Sequence, residues 1–252
     1  MITIDMSDKN IGQFVTINEQ RVYLEYGLLS LPNGVKSLTE VEGLEKVKKL
    51  WCGGGASLRK IEFVEPLKHL KWLEINGASY IKKIENLEHY TNLRFLEISE
   101  TYISGIEGLD NLRNLKTLYL HKNEITEIKG LDNLVELREL RIDQNFITEI
   151  KGLEKLGNLE YLDLGMNQIT QIKGLNNLTN LKHLDLGGNE ITTIEGLDNL
   201  KNLEGLILYT NKIKYISGFE KLTNLKVINL TNNPLESYHG LKNFKNVEII
   251  VD

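Results

Sequence analysis

The chain of 252 residues contains one cysteine, Cys52, and three prolines. A lone thiol excludes an intramolecular disulfide framework and any cysteine-based zinc cluster. No apolar run reaches the length of about 18 residues that a membrane-spanning helix needs. Positive charge is also short: 30 basic residues against 35 acidic ones leave a net charge of −5. A nucleic-acid binder needs a basic footprint to displace counterions, so nucleic acid is not an expected partner, and neither is a membrane. The opening Met1-Ile-Thr-Ile-Asp-Met-Ser-Asp lacks the basic flank and apolar stretch of a secretory signal, which points to a cytoplasmic protein, or a nuclear one in a eukaryote. With 41% apolar and 26% charged residues, the chain has the composition of a folded domain with a sizeable core.

Glycine, by contrast, is plentiful at 21 residues, and it is periodic. Leucines restart a common pattern at Leu93, Leu115, Leu137, Leu159, Leu181, Leu203 and Leu225, a step of 22 residues, with a stub at Val247. Upstream the step is 23, with starts at Leu70, Val47 and, in degraded form, Leu24, where Gly27 and Pro32 take two consensus sites. Nine good coils therefore run from Val47 to Phe244, with a degenerate coil before them and a terminal strand after.

The pattern within each coil predicts its shape. Leu159, Leu162 and Leu164 include the two-residue spacing of a short strand with an apolar inner face. Stacking such coils builds one parallel sheet on the concave side of an arc. The asparagine column of Asn123, Asn145, Asn167, Asn189, Asn211 and Asn233 stands where the chain leaves the strand. Amides there satisfy backbone groups of their own and neighbouring coils. A glycine precedes the next leucine in seven consecutive units from Gly108 to Gly240, which implies positive φ or close coil-to-coil approach. So short a coil has no room for a full helix, and 3₁₀ turns are expected outside. The fold class is thus an α/β solenoid: a curved horseshoe with a concave parallel β-sheet and convex 3₁₀ turns and loops. Residues 1–23 read as a capping β-hairpin of the same domain, and residues 24–252 as a solenoid of about ten coils. The apolar terminal strand is a pairing hazard: either aromatic residues such as Tyr238 and Phe244 plug that end, or another chain covers it.

The motif L-x-x-L-x-L-x-x-N-x-I-x-x-I over residues 24–251 resembles the leucine-rich-repeat proteins. The runs Ile106-Glu107-Gly108-Leu109, Ile128-Lys129-Gly130-Leu131 and Ile194-Glu195-Gly196-Leu197 are similar to the class that contains the repeat-built regulatory subunit of protein phosphatase 1. That resemblance implies an intracellular binding scaffold. Bacterial internalins have a similar step, but usually show proline where this chain has glycine. Their helical cap and immunoglobulin-like segment are not found in this sequence.

Function must come from the concave face. One outward column reads Lys49, Trp72, Phe95, Thr117, Glu139, Tyr161, His183, Gly205, Val227; its neighbour reads Trp51, Glu74, Glu97, Tyr119, Arg141, Asp163, Asp185, Ile207, Asn229. A flanking column adds His121, Asp143 and Tyr209, with Glu100 and Lys122 beside it. Three basic and seven acidic residues give this face a charge of −4. Trp51, Trp72, Phe95 and Tyr119 are expected to form an exposed aromatic patch that anchors a partner. Tyr161, His183 and Tyr209 form a second group, bordered by Asp143, Asp163 and Asp185. Glu74, Glu97, Asp163 and Asp185 select a partner with a basic patch, and Arg141 lies among them. The bland alternative is that the rings stack on one another and only shield the sheet.

Catalysis is not expected. Glu74 with Glu97, and Asp163 with Asp185, sit on adjacent strands at about the separation of a retaining glycosidase pair. An open sheet, however, offers no pocket to raise one pKa. His121 and His183 are three strands apart, too far to share a metal, and His69, His89 and His239 fall in turns. Asp143, Asp163 and Asp185 read as acidic surface, since calcium wants about six to eight oxygens in a wrapped loop. Cys52 occupies an inward site and reads as an inert buried thiol. Gly53-Gly54-Gly55 lacks the Lys-Ser/Thr of a phosphate loop. No cofactor or metal is expected. The reading is a non-catalytic protein-binding scaffold, with a monomer favoured. Rivals are a structural protein self-associating through its C-terminal edge, and a surface adhesion protein of internalin type, which a secretory signal upstream of Met1 would support.

Overall fold

Leucine and isoleucine at the repeat positions converge on one continuous core. Leu96, Leu118, Leu140, Leu162 and Leu206 are all fully buried, as are the isoleucines on the returning side, such as Ile103 and Ile169. The computed structural model describes residues 13–53, 55, 57–219, 221–237 and 246–252. Within them the strands are β1 (Phe14–Ile17), β2 (Gln20–Tyr23), β3 (Leu28–Ser30), β4 (Val41–Glu42), β5 (Lys49–Cys52), β6 (Trp72–Asn76) and β7 (Phe95–Ser99). Shorter strands follow: β8 (Thr117–Tyr119), β9 (Glu139–Arg141), β10 (Tyr161–Asp163), β11 (His183–Asp185), β12 (Gly205–Ile207), β13 (Val227–Asn229) and β14 (Glu248–Ile250). Strands β3 and β5 to β14 form one sheet of 11, each next to its sequence neighbour in that set and all parallel. This is the concave sheet of a curved solenoid, as the repeat predicts.

Register is exact in the middle and differs from expectation at both ends. Tyr161 faces His183, and Asp163 faces Asp185, one 22-residue step apart. At the last step Val227 faces Glu248, which shortens the coil to 21 residues rather than placing its stub at Val247. That slip turns Ile249 and Val251 toward the core and leaves Ile250 exposed. The first coil also steps by 21: Leu29 faces Leu50, and Leu29 and Leu31 are buried at consensus sites. Gly27 and Pro32 therefore do not stand in for missing leucines. Here β1 pairs antiparallel with both β2 and β4, so that a separate three-stranded sheet holds the first turns of the chain. Tyr238, His239 and Phe244 lie outside the described residues.

The convex side is simpler than a row of 3₁₀ helices. Regular 3₁₀ segments are confined, among the described residues, to Leu38–Glu40, Leu44–Lys46 and Glu65–Leu67. Later coils instead make two successive single turns. The Leu112 N–H donates to Leu109 O at 2.9 Å and the Leu115 N–H to Leu112 O at 2.9 Å. At three residues per turn, leucines three apart all point inward. Gly174 explains the glycine column, because both expected reasons apply. Its φ is +79°, and a Cβ there would lie 2.3 Å from the Ile150 carbonyl oxygen of the preceding coil.

The asparagine column ties coil to coil. Asn167 Nδ2 lies 3.1 Å from both Leu164 O of its own coil and Ile142 O of the preceding one, while its Oδ1 accepts from Ile147 N at 3.0 Å. Asn123, Asn145, Asn189, Asn211 and Asn233 repeat the arrangement. A second set of asparagines, exposed on the approach to the strands, went unread in the sequence. Asn158 donates to Val135 O at 2.9 Å and Asn180 to Gly157 O at 2.9 Å. Replacing Asn167 by Ala leaves buried carbonyls and an N–H unpaired, and is expected to lower stability by about 2–4 kcal/mol, whereas Asn158→Ala costs less than about 1 kcal/mol. Urea unfolding of the two variants checks the difference.

Candidate functional site

The outward side chains of β5 to β13 form the concave face. The aromatic cluster assembles, but with one member beneath the others. Trp72 stacks on Phe95 with ring centroids 3.5 Å apart and planes at 8°, and Tyr119 meets the other side of Phe95 edge-on at 5.3 Å. Phe95 is consequently only 9% exposed, and Glu97 beside it 8%. Both were expected as exposed contacts; instead they are the floor of the patch. Glu97 is held by Ser99 Oγ at 2.7 Å, with His121 Nε2 at 3.9 Å. The rings that keep solvent exposure are Trp51, which is 41% exposed, with Trp72 and Tyr119, both half-buried. Burial and the neighbouring Glu97 raise the Glu74 carboxyl above its usual range, opposed by the indole N–H of Trp72 at 3.4 Å.

Arg141 is engaged within the face itself. Its Nε lies 3.0 Å from Glu139 Oε1, and the same oxygen accepts from Tyr119 Oη at 2.7 Å. The guanidinium also sits over the Tyr119 and Tyr161 rings, at 4.8 and 5.0 Å from their centroids. Such a planar cation between two rings, with its charge matched by Glu139, is a closed unit. It divides the concave face into an aromatic half and an acidic half.

The acidic half is open. Asp163 and Asp185 face each other across β10 and β11, and each accepts a backbone N–H two residues ahead, Gly165 N at 3.0 Å and Gly187 N at 2.8 Å. No Lys or Arg among the described residues lies within ion-pair distance of Asp143, Asp163 or Asp185. The outer surfaces contrast with this, pairing Glu160 with Lys182 and Glu204 with Lys226 at 2.6 Å. Burial first, then Asp143 and Asp185, pushes the Asp163 carboxyl up to about 7, and burial also raises Asp185. An open sheet was expected to leave these pKa values alone; packing among tyrosines and glycines is enough to shift them. Tyr161 and His183 stand 6.0 Å apart, and Tyr209 lies flat over Gly187, where a Cβ would meet its ring at 2.2 Å. Burial raises the Tyr161 and Tyr209 phenols above their ordinary range.

No group of three or more His, Cys, Asp or Glu side chains converges as a metal site among the described residues. Cys52 is buried, and burial drives its thiol far above the ordinary range. No helix among the described residues is long and apolar enough to cross a membrane.

Comparison with known proteins agrees with this architecture. A family model for leucine-rich repeats, two copies at a time, matches overlapping windows that together span residues 91–243. Among solved structures, internalin C2 of Listeria monocytogenes is 30% identical with a TM-score of 0.69, over 77% of this chain and 87% of its own. Internalin F of the same organism is 26% identical with a TM-score of 0.61, over 86% and 77%. A leucine-rich-repeat protein of Leptospira interrogans is 26% identical with a TM-score of 0.75, over 88% of this chain and 59% of that one. None of the curated proteins matches the sequence.

The raised Asp163 carboxyl makes a signed prediction. Between the unfolded value near 4 and the folded value of about 7, the folded state binds the extra proton, so stability falls as pH rises through that window. Asp163→Asn keeps an acceptor for Gly165 N and removes the buried charge. After allowance for solvent screening it is expected to stabilise the protein by about 1–3 kcal/mol at pH 8 and by little at pH 4.5. Chemical denaturation at the two pH values measures it; an equal effect at both would contradict the assignment.

Proposed function

Because the chain belongs to the leucine-rich-repeat family, we propose that it is a non-catalytic scaffold that binds a partner protein through its concave face. Domains of this family are commonly protein-interaction scaffolds and are in general not enzymes. The observation that carries the reading is the ring cluster on β5 to β8: Trp51, Trp72 and Tyr119 offered to solvent over a floor of Phe95. Large rings held on a rigid sheet bring contact area at low entropic cost, the composition of a binding hot spot. Stacking of the rings on one another does occur, and Lys49 Nζ sits 5.4 Å over the other side of Trp72, yet Trp51 stays 41% exposed and Trp72 is only half-buried.

Two kinds of scaffold fit. An intracellular adaptor of the phosphatase-regulator kind has the glycine-containing repeat consensus in its favour. A surface adhesion protein of internalin type has in its favour the 30% identity to internalin C2. The acidic charge of the concave face suits a basic partner in either setting.

Trp51→Ala combined with Trp72→Ala removes the exposed rings while leaving Phe95 and the leucine core in place. Affinity capture from the source cell, with an unchanged melting profile required first, is expected to lose the wild-type partner; each such anchor is worth about 2 kcal/mol or more, so the pair lowers affinity by roughly a thousandfold. Retention of the same partners by the double variant would refute the concave aromatic site. Tyr102→Ala, on the exposed flank, serves as the neutral comparison.

A further inference from the structure

The concave column that runs through Tyr161 and His183 to Val227 contains one position without a side chain, Gly205 in β12. Its neighbours along that column are Tyr161, His183 and Val227, so the missing side chain leaves a notch in an otherwise filled row. The notch is a hollow of about 110 Å³, walled by Tyr161 and His183 on one side and Val227 on the other, with Asp185 and Ile207 at its edge. The His183 ring leans over it, and a Cβ on Gly205 would stand 2.9 Å from His183 Nδ1. Its walls are thus largely ring and aliphatic surface. Its one formal charge is Asp185, which accepts a bond from Gly187 N and has no cationic partner within ion-pair distance among the described residues.

We propose that the Gly205 notch receives a single lysine or arginine side chain from an extended segment of the partner protein. The chemistry is that of a long basic side chain, whose aliphatic stem covers apolar surface while its charged head reaches for a carboxylate. The stem lies against Val227 and Ile207, and the head meets Asp185, with Asp163 one strand away. An acidic side chain is repelled by the same two carboxylates, and a neutral one leaves them unmatched. Arg141 does not compete for this role, because Glu139 already occupies it. This inference rests on the concave-face reading and adds to it the side chain that the acidic half selects.

The test uses the full chain and fluorescein-labelled nine-residue Gly-Ser peptides that differ only at the central residue: Lys, Arg, Gln, norleucine or Glu. Fluorescence polarisation at low salt is expected to rank Lys and Arg at least about tenfold above Gln and norleucine, with Glu weakest, and the preference is expected to shrink as salt is added. Gly205→Val fills the notch with the residue already present at position 227 and is expected to abolish the preference; Asp185→Asn is expected to reduce it to that of the Gln peptide. Amide NMR shifts at Gly205 and Ile207 on addition of the Lys peptide place the contact. Equal binding of the Lys, Gln and norleucine peptides, no binding of the Lys peptide, or an unaltered preference in Gly205→Val overturns the proposal. Its failure is separable from that of the scaffold reading. A cellular partner kept by Gly205→Val but lost by the Trp51/Trp72 double variant sinks the notch alone, whereas a partner kept by both sinks the concave site.

Discussion

The buried asparagine amide at the exit of each strand is the interaction on which the solenoid depends. A coil of 22 residues has a strand of only three, as in β8 to β13, so the ladder alone leaves the turn that follows with stranded carbonyls. An amide both donates and accepts, and in this position it reaches its own coil and the one before it simultaneously. Aspartate lacks the donor, and glutamine is a methylene too long for the same span. Leaving such groups unpaired would cost about 1–3 kcal/mol for each, repeated in every coil. The ladder, rather than leucine burial alone, is what fixes the register in which outward side chains meet.

Where the ladder is missing, the sheet compensates, and the consequence reaches the concave face. Ala78 and Thr101 stand where later coils have asparagine. Thr101 joins the ladder only as a donor, to Asn123 Oδ1 at 2.5 Å, and Ala78 cannot join at all. In these coils the backbone itself carries more of the bonding: β6 and β7 run for five residues, and their pairing extends to Asn76 with Ser99. These longer strands are the ones that bear Trp72 and Phe95, whose rings stack in parallel. The aromatic half of the face therefore lies where the repeat is least regular, and the acidic half where it is most regular.

The repeat made the sheet, its parallel order, the inward leucines, the asparagine ladder and the glycine turns legible, because each is a column that recurs. Two kinds of fact escaped. At the ends the period fails, so Leu29 and Leu31 were passed over in favour of Leu24, and the last strand was placed one residue late. On the face, a column shows which way a side chain points but not what its neighbours do to it. Phe95 and Glu97 point outward and are nevertheless covered. Arg141 points outward and is claimed by Glu139 and two tyrosine rings. Gly205 carries no side chain for a pattern search to find, and its meaning comes only from the fuller residues at 183 and 227. The pKa of Asp163 likewise depends on packing depth, which alternation along a strand does not encode.

Charge placement in a solenoid obeys a stricter rule than in an irregular fold, because residues one repeat apart are forced side by side. On the flanks that rule works for stability: Glu160 meets Lys182, Glu190 meets Lys212 and Glu204 meets Lys226, one repeat apart in each case. On β10 and β11 the same rule sets Asp163 beside Asp185, where like charges directly opposite each other oppose folding. A lysine at either position would have relieved the repulsion, just as lysine does on the flanks. The free protein instead holds two half-buried carboxylates without a cation, and it does so next to the one unfilled position in the column. Arg141, opposite Asp163 on β9, is matched by Glu139 and offsets only part of what raises the Asp163 carboxyl. In the proposed complex a cation supplied from outside gains the attraction that the chain withholds from itself, and this differential, rather than the apolar area of the face, would let the acidic half discriminate between partners.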